Sequence, residues 1–156
     1  MGVDFHLQSK QLHSEDFARY NETEQLRPRY VKFDPVALQR VAANAVGRDR
    51  CLLITKLAEG GFNKIFLLAT DDGREDIARI PIPIAGSPHY TTAREVATIN
   101  FLRNVFGLPV PRILAYSTSS NNSVGAEYII MERVQGESLA SRWLSLTTDE
   151  VKHVMT

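Results

Sequence analysis

The stretch KLAEGGFNKIFLLATDDGREDIARIP, residues 56–81, decides the fold. Gly60 and Gly61 interrupt two β-rich runs, and a following Asp-Gly pair supplies a tight turn into a third run. Glycine lets backbone amides approach a phosphate closely, and the basic Arg79 on the next strand could supply the opposite charge. The stretch therefore indicates a phosphate-binding loop between strands, although a glycine pair taken alone is more typical of a β-bulge or a plain turn.

A helix is predicted downstream, from Thr92 to a stop at Gly107. Its predicted core face carries Ile99, Leu102 and Phe106. Glu95 lies on the same face, and a carboxylate facing the core needs a partner, which Arg79 could be. Alternatively, Thr92 and Glu95 have capping-box spacing, so the carboxylate could simply bond back to the first residue of the helix. The spacing leaves both interpretations open.

The remaining elements have clear start and stop signals. Asp34 and Pro35 begin an earlier helix, and Gly47 ends it. The apolar face of this helix carries Leu38, Val41, Ala42 and Ala45. The predicted strands are 51–57, 64–69, 76–80, 112–117 and 128–133.

The segment AEYIIMERVQGESL, residues 126–139, joins an apolar strand to a short polar connector and then to a helix signal, which is the order of a hinge between two lobes. With it, the strings LAEGGFNKIFLL, IARIPIPIAGSPHYTTAREVATINFLR and GLPVPRILAYS complete a recognisable pattern over roughly residues 53–143. The pattern resembles the aminoglycoside phosphotransferase and choline kinase branch of the protein-kinase-like superfamily. Within that branch it looks most like fungal phosphotransferase-domain proteins related to altered inheritance of mitochondria protein nine.

The resemblance implies how phosphates would be bound. Arg79 stands where the superfamily has its phosphate-binding strand cation, and Glu95 matches the helix carboxylate that orients it. Two features depart from the family: the loop lacks the full G-x-G-x-x-G pattern, and Arg79 replaces the usual Lys, whose contacts a planar guanidinium does not simply reproduce. The loop over the ATP phosphates would comprise Gly60, Gly61, Phe62 and Asn63.

The resemblance also implies an adenine site at the hinge. Met131 matches the residue that guards the back of the adenine pocket. The Glu132 carbonyl and the Val134 amide match the backbone groups that hydrogen-bond adenine.

The implied fold is α+β, equivalent to a protein-kinase-like N-terminal lobe: a five-stranded antiparallel sheet with one crossing helix and an N-terminal helix. We expect residues 1–32 to form a polar arm, 33–134 the nucleotide-binding lobe, and 135–156 the hinge exit and the start of a C-terminal lobe. A capping box at Thr147 and Glu150 begins a helix shortly before the sequence ends. This predicts a truncated chain from which the C-terminal lobe is absent.

No catalytic residue can be assigned from the sequence. The family's H-x-D loop is missing, since no histidine among His6, His13, His89 and His153 has an aspartate two residues on. ATP is the expected cofactor, with Mg²⁺ only if the missing lobe is supplied. We expect the ATP-binding lobe of an enzyme that transfers the γ-phosphate to the hydroxyl of an unknown small molecule. The alternative is a non-catalytic remnant that acts as a binding or interaction module.

Composition restricts the partners. The 18 basic and 18 acidic residues cancel, so no charge signature for nucleic acid or an anionic membrane is present. No apolar run approaches the ~18 residues that a spanning helix needs. The single cysteine, Cys51, is predicted to be a core residue. Acidic residues near the N-terminus favour the cytoplasm over an imported protein, while the family resemblance raises mitochondria as the location.

Overall fold

The computed structural model describes residues 29–83, 86–87, 89–137 and 139–155, the last four of these by their backbone only. In chain order the helices are α1 (Pro35–Ala45), α2 (Tyr90–Phe106), the short α3 (Leu139–Arg142), a 3-10 turn (Trp143–Ser145) and α4 (Thr148–Met155). The strands are β1 (Cys51–Glu59), β2 (Asn63–Thr70), β3 (Glu75–Pro81), β4 (Ile113–Ser117) and β5 (Tyr128–Glu132).

The strands form one antiparallel sheet in the order β1-β2-β3-β5-β4. Helix α2 connects β3 to β4 and packs against β4 and β5. Helix α1 precedes β1 and packs mainly against β1 and β4. This is the predicted α+β architecture of a kinase-like N-terminal lobe, and the five predicted strands are confirmed to within two residues at each end.

The main core lies between α1 and one side of the sheet, which we call the α1 face. Asp34 caps α1 as predicted, because its Oδ1 accepts hydrogen bonds from the amides of Val36 and Ala37. Phe33 packs edge-on against Phe66 of β2, with 5.3 Å between ring centroids. The sheet residues of this core are Phe66, Leu68, Ala78, Ile80, Tyr128 and Ile130.

The predicted start and the predicted apolar face of the crossing helix were both partly wrong. Helix α2 begins at Tyr90 rather than Thr92, and Thr92 is a buried residue of its first turn. Val96 is the apolar residue that α2 buries most deeply, whereas Phe106 is 63% exposed. The i, i+3, i+4 pattern failed at the C-terminal end because periodicity shows which residues share a face of the helix, not whether another element covers that face. Gly107 ends the helix with a left-handed backbone, as predicted.

The predicted capping box at the last helix is confirmed. The Thr147 amide donates to the Glu150 carboxylate at 2.8 Å, and the Glu150 amide donates back to the Thr147 hydroxyl at 3.4 Å. The hydrogen bonds that the Thr147 amide and hydroxyl donate to the carboxylate hold the pKa of Glu150 below its usual value. None of the helices in the described residues combines the length and apolar character required to cross a bilayer.

Replacing Leu38 tests whether α1 is integral to the lobe. Leu38 is 0% exposed in the main core, so we expect Leu38→Ala to lower the free energy of unfolding by about 2–5 kcal/mol. Val36→Ala is the matched control, since Val36 lies on the same helix and is 57% exposed. Chemical denaturation followed by circular dichroism measures both. Equal losses in the two variants would contradict this packing.

Candidate functional site

The candidate site lies on the side of the sheet opposite α1, which we call the α2 face. Strand residues alternate between faces, so the neighbours of the α1-face residues in β2 and β3 point to this side. Val96 of α2 covers the part formed by β5, where it packs on Ile129 and Met131, and Ile77 of β3 lies at the border of this covered part. Over the rest of β2 and β3, half-buried apolar side chains line an open surface. These are Ile65, Leu67, Ala69 and Ile77.

The glycine loop spans residues 60–62 and joins β1 to β2. The Gly60 amide donates to the Asn63 carbonyl at 3.0 Å, and the Phe62 carbonyl accepts from the Ile82 amide at 2.9 Å, so both loop ends are fixed. Asn63 is the first residue of β2, and the Phe62 side chain is exposed. Among the described residues, no protein acceptor is bonded to the amides of Gly61 and Phe62. The loop therefore presents two consecutive N–H groups that a ligand could use.

Arg79 and Glu95 meet, as one of the two sequence interpretations requires. Arg79 Nη1 donates to Glu95 Oε1 across the gap between β3 and α2. The Arg79 and Glu95 side chains are 27% and 25% exposed, so this ion pair is partly rather than fully buried. Arg79 Nε is buried and is bonded to no acceptor in the part of the chain that is described. The pairing leaves Arg79 with unused donors beside the open face.

The capping-box alternative for Glu95 is not what the structure shows. The Thr92 hydroxyl instead donates to Oε2 of Glu127, a residue just before β5, at 2.6 Å. The other oxygen of Glu127 accepts from the His89 amide at 2.8 Å. His89 also contacts the Thr118 carbonyl through its ring and, among the described residues other than glycine, is alone in having a positive φ, 69°. A carboxylate from the β4–β5 connection thus holds the start of α2, one turn before Glu95.

The predicted hinge residues differ in what they contact. Met131 is buried between β5 and α2, next to Val96 and Ile77, at the closed edge of the α2 face. The Glu132 carboxylate accepts from the Arg112 amide at 2.9 Å and from Arg103 of α2 at 3.2 Å, so its side chain ties the end of α2 to β5.

Val134 lies beyond β5 in the connector and is 58% exposed. Its amide donates to no group in the described part of the chain. The backbone donor that the family resemblance assigns to adenine is therefore unengaged.

Two further titratable groups, Asp76 and Cys51, lie away from this face. The most deeply buried carboxylate, Asp76, belongs to the α1 face and is paired bidentately with Arg74 at 3.0–3.1 Å. Cys51 is half-buried, as expected of a packing residue, and burial raises the pKa of its thiol. No three His, Cys, Asp or Glu side chains among the described residues are grouped so that they could hold a metal ion.

Sequence reasoning missed two parts of the site. The apolar platform of Ile65, Leu67 and Ile77 was detectable from period-two alternation in β2 and β3, once Phe66 and Ala78 are assigned to the core. Glu127 had no such signal, because a cap supplied by a residue 35 positions from Thr92 leaves no local spacing in the sequence. Only the fold brings these residues together.

These features define the fold class: an α+β domain with the architecture of a kinase-like N-terminal lobe. The sequence is 70% identical over 108 residues to the subtelomeric hrmA-associated cluster protein of Aspergillus fumigatus, covering 69% of this chain and 21% of that protein. It is 32% identical over 122 residues to altered inheritance of mitochondria protein 9, mitochondrial, of Debaryomyces hansenii, covering 75% of this chain and 19% of the relative. The Lodderomyces elongisporus protein of the same name is 30% identical over 148 residues, covering 90% of this chain and 23% of that relative.

The chain is thus related in sequence to the fungal proteins named altered inheritance of mitochondria protein 9, and it spans 19–23% of the length of these relatives. No protein-family model matches it. A solved structure, the GDP and kanamycin complex of APH(2")-IIia, is 18% identical and covers 73% of this chain and 36% of that one. Its TM-score of 0.49 is too low to support an argument of its own.

A double-mutant cycle tests the Arg79–Glu95 pair. Because the pair is partly exposed, we expect Glu95→Ala to cost about 1–2 kcal/mol, between the values of exposed and fully buried pairs. Adding Arg79→Met should recover part of this loss, since the cation left without a partner is then gone. The control cycle is Arg48 with Asp72, an ion pair of 2.7 Å in the more exposed region beside the β2–β3 turn. Additive losses at Arg79 and Glu95 in denaturation experiments would show that the two residues are not coupled.

Removing the Glu127 carboxylate tests the attachment of the α2 N-terminus. Glu127→Ala loses two hydrogen bonds, to the His89 amide and the Thr92 hydroxyl, and should cost about 1–2 kcal/mol. Thr92→Val loses only one of them and should cost less. Glu137→Ala is the control, because the Glu137 side chain is 73% exposed. If Glu127→Ala unfolds in urea like the control, the carboxylate does not hold the helix.

Proposed function

We propose that this chain is the ATP-binding lobe of a kinase-like phosphotransferase and that ATP lies on the α2 face. The observation that carries the proposal is the position of Arg79. The β2–β3 register sets Arg79 opposite Ile65 and Pro81 opposite Asn63, so the cation lies next to the end of the glycine loop. An oriented cation, two open amides and an apolar platform therefore occur side by side.

The phosphate half of this site fits a polyphosphate. Arg79 keeps its buried Nε unpaired while Glu95 holds the other end of the guanidinium. A Cβ built on Gly60 or on Gly61 meets no heavy atom within 4 Å, so the space above the loop is open on the protein side. Neither glycine has a positive φ, which means that the fold does not demand glycine there for backbone reasons. Close approach by a ligand is the function that would require it.

The adenine half fits a planar apolar group. Ile65, Leu67 and Ile77 would pack against one face of the base, and Met131 would close the back. The Glu132 carbonyl and the unengaged Val134 amide would supply the hydrogen bonds along the edge of the base. These roles rest on the family resemblance, with the exposure of Val134 and the burial of Met131 in support.

The chemistry in which this lobe would take part is transfer of the γ-phosphate of ATP to the hydroxyl of a small molecule. ATP supplies the phosphoryl group, and Mg²⁺ would be held by residues outside this lobe. The described residues would bind and orient the nucleotide. Arg79 and the loop amides would bind the phosphates, and Glu95 would orient the Arg79 guanidinium. The mitochondrial names of the relatives favour mitochondria as the location.

Direct titration of ATP tests this function. We expect the 156-residue chain to bind ATP with a Kd weaker than about 10 μM, since only one side of the base is covered. Arg79→Met should weaken binding about tenfold or more, because it removes a charge-assisted contact with phosphate. Arg48→Met, which removes a cation beside the β2–β3 turn, should leave affinity within about twofold. Isothermal titration calorimetry with millimolar ATP measures all three.

Two results would contradict the proposal. One is the absence of ATP binding at millimolar concentration, which would favour the alternative of a non-catalytic interaction module. The other is equal weakening by Arg79→Met and Arg48→Met, which would show that ATP responds to net charge rather than to this site.

A further inference from the structure

The segment before α1 runs along the α1 face of the sheet, on the side opposite the proposed nucleotide. The Tyr30 ring lies 5.9 Å from the Lys64 ammonium, and Val31 and Phe33 pack against the main core. Lys64 is two residues before Phe66, so both point to the α1 face. Residues 29–33 therefore approach the glycine loop from the α1 face.

Arg29 connects this segment to the loop. Its Nη2 donates to the Gly60 carbonyl at 2.5 Å, and its Nε donates to the Glu59 carboxylate at 3.4 Å. The register pairs Glu59 with Lys64, and residues directly opposite in an antiparallel ladder project to the same face, which is again the α1 face. Two hydrogen bonds to the Glu59 carboxylate hold the pKa of Glu59 below its usual range. The larger effect comes from the Lys56 ammonium and the smaller one from Arg29. Glu59 therefore stays charged at neutral pH and keeps Arg29 beside Gly60.

The geometry of the peptide bond gives this contact a consequence on the other face. The carbonyl of Gly60 and the amide of Gly61 belong to one planar unit, and no cis peptide occurs among the described residues. In a trans peptide the C=O and the following N–H point in opposite directions. Since the Gly60 carbonyl accepts from Arg29, the Gly61 N–H points away from Arg29.

We propose that Arg29 is a positioning residue that locks the Gly60–Gly61 peptide with its N–H directed at the phosphates of a nucleotide. The role of this contact toward nucleotide rests on the proposed function. Glycine on both sides leaves this peptide with little steric resistance to flipping, because glycine populates positive and negative φ about equally. A flip would turn a carbonyl oxygen toward the phosphates and replace attraction with repulsion. Arg29 binds from the opposite side, so it can stay in place while a nucleotide is bound.

Nuclear magnetic resonance of the full chain tests the lock without any nucleotide. In Arg29→Ala we expect the ¹⁵N order parameter of the Gly61 amide to fall from about 0.85 to about 0.6 or less, or relaxation dispersion to arise at this amide where the peptide flips in microseconds to milliseconds. Arg29→Lys keeps the charge but replaces the planar guanidinium with an ammonium group, so it should give an intermediate value. It also keeps the test available if Arg29→Ala does not fold. Arg48→Ala removes a cation of the distant Asp72 pair and should leave Gly61 unchanged.

The second measurement is ATP affinity by titration. Arg29→Ala should bind ATP about 5- to 10-fold more weakly, as for the loss of one oriented hydrogen bond, with Arg29→Lys between it and the unmodified chain. Arg48→Ala controls for the loss of one positive charge.

The outcomes separate the lock from the proposed function. An unchanged Gly61 amide in Arg29→Ala would overturn the lock even if ATP binds. A mobile Gly61 with unchanged ATP affinity would overturn its role toward nucleotide. If the unmodified chain binds no ATP but Arg29→Ala still mobilises Gly61, the proposed function fails while the positioning of the peptide by Arg29 stands.

Discussion

Strand β3 has to place apolar side chains on one face of the sheet and the Arg79 cation on the other, and the rest of the structure depends on this constraint. Ala78 and Ile80 are fully buried on the α1 face, while Ile77 and Arg79 point to the α2 face. A one-residue slip would exchange the two faces of β3, which would expose Ala78 and Ile80 and drive Arg79 into the main core. The register with β2 and β5 is therefore strongly specified, and with it the position of the cation next to the glycine loop.

Helix α2 is held to the sheet more by polar contacts than by apolar packing. Thr92 and Val96 are the helix residues that the structure describes as buried, which is little for a helix of 17 residues. Three carboxylates compensate along its length: Glu127 binds its first turn, Glu95 binds Arg79, and Glu132 binds Arg103 near its end. Since each contact contributes about 1–2 kcal/mol or less, the position of Glu95 reflects their combined geometry.

Much of the fold could be predicted because its signals are local. Asp34 and Pro35 begin α1, Gly107 ends α2, and alternation locates the strands. The start of α2 was mispredicted because Thr92 has the side chain of a cap, yet the tertiary carboxylate of Glu127 takes its hydroxyl. Phe106 was mispredicted because periodicity shows which residues share a face but not whether anything lies under the last turn.

For the candidate site, the sequence by itself determined which groups are available: two consecutive glycines, a strand arginine and a helix glutamate. Their spacing left the partner of Glu95 undecided, because a capping box and a contact between helix and sheet use the same residues. Only the tertiary structure shows that the partner of Glu95 is Arg79. Only the tertiary structure brings Arg29 to the Gly60 carbonyl, 31 positions away in the sequence. The reason is physical: local spacing determines which face of an element a residue occupies, whereas the partner across the gap depends on how separate elements pack.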